Sequence, residues 1–217
     1  MKLRRTPMKW WLLVLLAAPV VGGAARHQQR QRALVAARGA LASHRAIVDP
    51  ASANALLLEA TRDDDLASVT SLLRLGVDPN GHNPSGRTAL MLAAYYGHHR
   101  VAEALLARGA EVARGDVTGS TALMMAAFRG DVATARALLG RGAPVDQRNR
   151  AGQTALMMAS LFGREAVKTL LLARGADPRC TDHFGNSAES LSRYAAAGGD
   201  AARFAAHAAR EARPEAR

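Results

Sequence analysis

GRTALMLAAYYG (residues 86–97), GSTALMMAAFRG (119–130) and GQTALMMASLFG (152–163) are three copies of one pattern, and their starts at Gly86, Gly119 and Gly152 are evenly spaced. A weaker copy, GNSAESLSRYAA, begins at Gly185, one further interval on. The chain between the copies keeps the phase: Leu105-Leu106, Leu138-Leu139 and Leu171-Leu172 each precede an Arg-Gly-Ala triplet that starts at Arg108, Arg141 or Arg174. Upstream, ALLLEATRDDDLASVTSLLRLGVDPN (55–80) is a degenerate unit in the same phase, since Gly76 precedes Gly109 by that same interval, with Asp63, Asp64 and Asp65 in part of the usual turn. Self-similarity at such a period marks a repeat array, in which no unit buries its own apolar face and each neighbour completes the core of the last.

Within one unit, Leu90, Ala93, Ala94 and Gly97 follow helical spacing and predict a narrow face of small residues that lets helices approach closely. Thr88, Thr121 and Thr154 stand where a hydroxyl caps that helix, and the alanine after each favours it. The second helix, over 100–107, contributes Val101, Leu105 and Leu106 to the core and leaves Arg100 and Glu103 exposed on the convex side. Gly109, Gly142 and Gly175 end it with a positive backbone torsion. Arg108, Arg141 and Arg174 close these helices, where the helix dipole favours a cation, and so read as structural. Met91, Met124, Met125, Met157 and Met158 read as space-filling core.

The pattern Asp/Asn-x-x-Gly-x-Thr-x-Leu-x-x-Ala-Ala-x-x-Gly, then Leu-Leu-x-x-Gly-Ala, opens on Asn83, Asp116, Asn149 and Asp182 and resembles the ankyrin repeat over residues 51–212. That resemblance implies an all-α ankyrin-repeat solenoid of helix-turn-helix units with projecting β-turn fingers, about five repeats in all. The units are a degenerate N-terminal repeat (51–83), repeats at 84–116, 117–149 and 150–182, and a degenerate C-terminal capping repeat with tail (183–217). In that tail Ala201, Phe204, Ala205 and Ala208 have helical spacing suited to covering the last apolar face. The chain departs from the family's Thr-Pro-Leu-His: Ala89, Ala122 and Ala155 replace proline, and Met91, Met124 and Met157 replace histidine with its polar contacts.

Ahead of the repeats, Lys2, Arg4, Arg5 and Lys9 precede an uninterrupted apolar run, WWLLVLLAAPVV (10–21), and the small residues Gly22, Gly23, Ala24 and Ala25. This is the layout of a signal peptide over 1–25, cleaved after Ala24 or Ala25, and the run is short of the roughly 20 residues of a membrane span. The alternative is an uncleaved anchor, because the apolar segment can be extended to Ala25 and Arg26, Arg30 and Arg32 follow directly. Residues 26–50 read as a basic linker or helical arm outside the repeat phase. Cleavage would lower the net charge from +11 to +7. The lone Cys180 excludes an intramolecular disulfide and a cysteine metal cluster. The expected location is periplasmic or secreted, or inner-membrane anchored with the repeats outside the cytoplasm, in a GC-rich bacterium by the Ala- and Arg-heavy composition.

Phosphate-binding Gly-x-x-x-x-Gly-Lys, nucleophile Gly-x-Ser-x-Gly and His-Glu-x-x-His patterns are missing, so no enzyme, cofactor or metal is expected. His98 and His99 point about 100° apart on a helix and make a poor chelate. In the ankyrin family the two residues before the mid-unit glycine face the concave groove, which selects Tyr95-Tyr96, Phe128-Arg129, Leu161-Phe162 and Tyr194. Five of the chain's seven Phe and Tyr fall there. A helical projection puts Tyr95 and Tyr96 about 140° and 240° from Leu90, off the core face. Several rings of roughly 150–250 Å² each would form a patch large enough to bind a partner, or would stack on one another and stabilise the groove alone. Arg129, with Arg87, Arg114, Arg148 and Arg150 on the fingers, favours an acidic segment of an exported partner protein. The sequence thus predicts a non-enzymatic interaction scaffold of the bacterial envelope with no nucleic-acid partner. The alternative is a membrane tether that binds anionic lipid through the basic N-terminal segment.

Overall fold

The computed structural model describes residues 50–199; the signal segment, the arm up to residue 49 and the stretch with Ala201 and Phe204 lie outside the described residues. The described chain holds nine helices: α1 Pro50–Arg62, α2 Leu66–Arg74, α3 Ala89–Tyr96, α4 His99–Ala107, α5 Ala122–Arg129, α6 Val132–Gly140, α7 Ala155–Leu161, α8 Glu165–Ala173 and α9 Ala188–Ala196. The odd-numbered helices form an inner layer in which each packs on the next, and α2, α4, α6 and α8 form an outer layer behind them. Pro50 is the first residue of α1. Proline suits a first helical turn, where its missing N–H costs nothing. Among the described residues no helix is long and apolar enough to cross a membrane.

The three central inner helices start as their threonines predict: the hydroxyls of Thr88, Thr121 and Thr154 accept from the N–H of Met91, Met124 and Met157 at 3.3, 3.4 and 3.3 Å. The four opening residues build the fingers. Oδ1 of Asn83, Asp116, Asn149 and Asp182 each accepts two backbone N–H groups, those two and four residues on, at 2.8 to 3.0 Å. Neighbouring fingers are zipped by backbone bonds, Val117 N–H to Ser85 O (3.1 Å), Arg150 N–H to Thr118 O (2.9 Å) and His183 N–H to Ala151 O (3.0 Å). Gly119 is needed at one such junction: its φ is +76°, and a Cβ there would sit 3.2 Å from the Arg150 nitrogen. In the degenerate first unit Asp64 adopts φ +55° where later units have glycine, and Asp65 caps α2 by accepting from Ser68 N–H at 3.0 Å. The aspartates therefore preserve the turn that they replace.

The core is wider than the narrow face that spacing predicts. All six residues from Ala89 to Ala94 are buried, because an inner helix lies between two inner neighbours and an outer helix. Met91, Met124 and Met157 are at most 2% exposed, so the apolar replacement of the family's histidine suits a site with no water. Adjacent units are also tied at the outer helix ends. Arg108 Nη1 donates to Leu73 O at 3.0 Å and Arg141 Nη1 to Leu106 O at 2.7 Å, each adding a second donor to a last-turn carbonyl that also accepts the N–H of the following glycine, Gly76 or Gly109. A second tie alternates: Asn80 Oδ1 accepts Glu111 N–H (2.8 Å) and Asp146 Oδ1 accepts Asp177 N–H (3.1 Å). In the unit between them Ala113 and Pro144 hold the corresponding register positions, one lacking the side-chain acceptor and the other the N–H donor.

Candidate partner-binding groove

The inner helices end on the concave rim, and there the rings meet. Tyr95 stacks on Phe128 with centroids 5.8 Å apart and planes 6° off parallel, and Phe128 meets Phe162 edge-on at 4.5 Å. Tyr96 stands edge-on to Tyr95 at 5.2 Å and stacks on His98 at 5.8 Å. A row of rings therefore crosses three units. Tyr95, Phe128 and Phe162 are half-buried in this mutual packing, whereas Tyr96 is 39% exposed. Self-stacking and an open surface coexist: the first three rings form a floor and Tyr96 stands on its edge.

Arg129 is exposed beside this floor, and its Nε would lie 3.5 Å from a Cβ at Gly97, so the side chain reaches back toward the preceding unit. Arg164 repeats the gesture one unit on. Its Nε donates to Phe128 O at 3.1 Å, and its Cδ would lie 2.9 Å from a Cβ at Gly130. His98 holds the place matching Arg164 two units earlier, with Nε2 3.2 Å from Arg62 O and Nδ1 3.5 Å from Asp64 Oδ1. His98 is thus a tie between units, and among the described residues no cluster of His, Cys, Asp and Glu could hold a metal.

One predicted groove position turns out differently. Leu161 is 2% exposed and belongs to the core. The helix α7 stops at Leu161, one residue short of its counterparts, and Phe162 takes the cap position beside Phe128. Arg87 and Arg150 are not gathered with the rings. They lie on fingers at the N-terminal ends of inner helices, and the eight residues of α3 separate the two rows by about 12 Å at 1.5 Å per residue. Arg87 is also engaged, its Nε 3.4 Å from Asp116 Oδ2, while Arg150 is exposed. Arg114 lies 3.9 Å from Glu111, and Arg148 donates to Gly152 O at 3.1 Å and to Thr181 O. Tyr194, on α9, is 37% exposed with Gly199 against its ring. Sequence reasoning missed Arg164 and His98 as neighbours of the ring row; their signal was a shared register, two units apart.

Charge is distributed unevenly. Residues 50–199 hold sixteen Lys and Arg against fourteen Asp and Glu, a net +2, whereas residues 1–49 hold nine against one, a net +8. The basicity of the chain therefore lies mainly ahead of the repeats. An open hollow of about 590 Å³ is bordered by Leu106, Glu111, Arg114 and Arg141, away from the rings.

Compared with known proteins, the chain matches the family model for ankyrin repeats (3 copies) over residues 36–116, 57–149 and 113–182. The first match begins inside the stretch read from sequence as an arm outside the repeat phase. Among curated relatives it is similar to the mitochondrial disaggregase of Homo sapiens, 39% identical over 83 residues, which cover 38% of this chain and 12% of the relative. The mitochondrial disaggregase of Bos taurus is 40% identical over 77 residues, 36% of this chain and 11% of that one. The chain thus aligns with about an eighth of the length of these relatives.

Proposed function

The chain belongs to the ankyrin-repeat family, whose repeats mediate protein–protein interaction, and from that membership we propose that it is a non-enzymatic scaffold of the bacterial cell envelope. Its ring row docks or stabilises a partner protein, exported like itself, and an acidic segment on that partner suits the groove. The observation that carries this reading is the exposed Arg129 set beside a continuous aromatic floor on the concave rim. Partly exposed aromatic and arginine side chains are the residue types that dominate binding energy at protein interfaces. The basic residues before an apolar run, followed by small residues, support export through a signal peptide. The disaggregase named among the relatives is a much longer protein, and its activity is not carried over.

The test is affinity capture from envelope extracts of the source organism with the full chain and with a Tyr96→Ala/Arg129→Ala/Phe162→Ala variant of equal helicity. Loss of one captured protein from the variant supports the groove; an unchanged set refutes it. Mass determination of the N-terminus of the protein recovered from cells tests export, and a start at Ala25 or Arg26 is expected.

A second reading is favoured by the charge distribution. Eight of the eleven net positive charges precede residue 50, where they would attract anionic lipid if the N-terminal segment stays uncleaved. Binding of the full chain to phosphatidylglycerol vesicles that falls with salt, together with an intact Met1, would put this tether first.

A further inference from the structure

Tyr96, Arg129 and Phe162 stand at one register position in three successive units. They present an apolar surface, a cation and an apolar surface in line. Arg129 takes part in none of the ion pairs among the described residues. Three carboxylates near the ends of the inner helices are engaged elsewhere. Asp64 lies against His98 at 3.5 Å, Asp131 accepts from Thr134 N–H at 3.1 Å and Thr134 Oγ1 at 2.6 Å, and Glu165 pairs with Lys168 at 3.4 Å. Arg164 is held by Phe128 O at 3.1 Å. Among the described residues the guanidinium of Arg129 is therefore in no ion pair at the register between Tyr96 and Phe162, and Gly97 keeps the space next to it open.

Resting on the reading of the ring row as the docking site, we propose that the partner presents a helix carrying one Asp or Glu between two apolar side chains at seven-residue intervals. The carboxylate meets Arg129, and the apolar residues meet Tyr96 and Phe162. Charge complementarity selects the acid: an arginine–carboxylate contact over an apolar floor is partly shielded from water, which strengthens it over one on an open surface. Spacing selects the helix. Packed inner helices lie about 8–10 Å apart, and seven helical residues rise about 10.5 Å, so successive anchors stay on one face and in step with the units. In an extended segment, same-face residues recur at about 6.8 Å and fall out of step at once.

The probe is a set of 21-residue Ala/Gln-based helical peptides with Leu-Glu-Leu at positions 4, 11 and 18, and variants with Leu-Gln-Leu, Leu-Lys-Leu or Ala-Glu-Ala there. Binding to the full chain is read by fluorescence anisotropy. The Leu-Glu-Leu peptide is expected to bind at least ten-fold more tightly than either charge variant, the factor that a hydrogen bond to a charged group supplies. Arg129→Glu is expected to invert the order in favour of the lysine peptide. Equal affinity for the Glu, Gln and Lys peptides, with binding lost in Tyr96→Ala/Phe162→Ala, overturns the acidic partner and keeps the groove. Binding that survives Tyr96→Ala/Phe162→Ala, or no binding by any peptide, overturns both.

Discussion

Phe128→Ala separates the floor of the groove from its exposed surface. Phe128 touches Tyr95 face-on at 5.8 Å and Phe162 edge-on at 4.5 Å, so its removal breaks both ring contacts that join three units. If about 100 Å² of its ring is removed from water, burial contributes about 2.5 kcal/mol at 25 cal/mol per Å². Two ring pairs add roughly 0.5–1.5 kcal/mol each. Together these come to about 3.5–5.5 kcal/mol, and partial cover of the ring puts the expected loss at the low end, about 3.5–4 kcal/mol. Arg129→Ala, one residue on and exposed, should change stability by no more than about 0.5 kcal/mol. Urea unfolding of the full chain followed by far-UV circular dichroism gives both values. A double-mutant cycle with Phe162→Ala should return a coupling of about 0.5–1.5 kcal/mol. A Phe128→Ala loss below about 1 kcal/mol with a cycle that closes to zero would refute the floor, and the rings would then be independent surface groups.

Ser160 is fully buried and its hydroxyl has no hydrogen-bond partner, while the same register holds Ala94 and Ala127. Ser160→Ala should therefore stabilise the protein by about 1–2 kcal/mol, seen as a higher urea midpoint, and a lower midpoint would show that the hydroxyl is satisfied. Asp146→Ala should cost about 1–2 kcal/mol through the lost bond to Asp177 N–H. Ala113→Asn should gain nothing opposite Pro144 unless Pro144→Ala restores a donor, and a gain from Ala113→Asn alone in the same unfolding assay would contradict the pairing. The Arg193 side chain, hydrogen-bonded to Glu189 and attracting it by charge, holds that carboxyl below the usual glutamate range. A lowered carboxyl titrates so that its small stabilising contribution is present above the ordinary range and is lost as pH falls through the lowered one. Carbon-detected NMR titration should show the Glu189 midpoint return to the ordinary range in Arg193→Ala, and no movement would remove Arg193 as the cause.

Much of the solenoid was legible because one physical requirement recurs at each unit. Thr88, Thr121 and Thr154 must cap, Asn83, Asp116, Asn149 and Asp182 must fold a finger, and the even spacing of both sets announces the unit. What stayed hidden depended on where an element ends or on a neighbour. Leu161-Phe162 has the same spacing as Tyr95-Tyr96, and a helical projection assigns them the same directions, yet α7 ends a residue early and Leu161 turns into the core. Projection also cannot show that a helix is enclosed on three sides, so the burial of all of Ala89 to Ala94 exceeded the predicted stripe. The ring row itself was visible as an excess of aromatics at two positions. Its division into floor and edge was not, since that depends on contacts between side chains a whole unit apart in the chain.

The separation of Arg129 from Arg150 constrains what can dock. One lies where an inner helix ends and the other on a finger where the next inner helix begins, so the groove floor between them spans about 12 Å. An extended strand laid along the ring row would leave the fingers untouched, and a strand laid along the fingers would leave the rings uncovered. A helix with its side chains is about 10–12 Å across and fills the floor from one row to the other. It can therefore bury its apolar face against the rings while its flank faces Arg150. The near-neutral array gives such a partner little long-range attraction, because only +2 is spread over residues 50–199. In the proposed docking, recognition at this groove rests on contact with the rings and on one short-range ion pair.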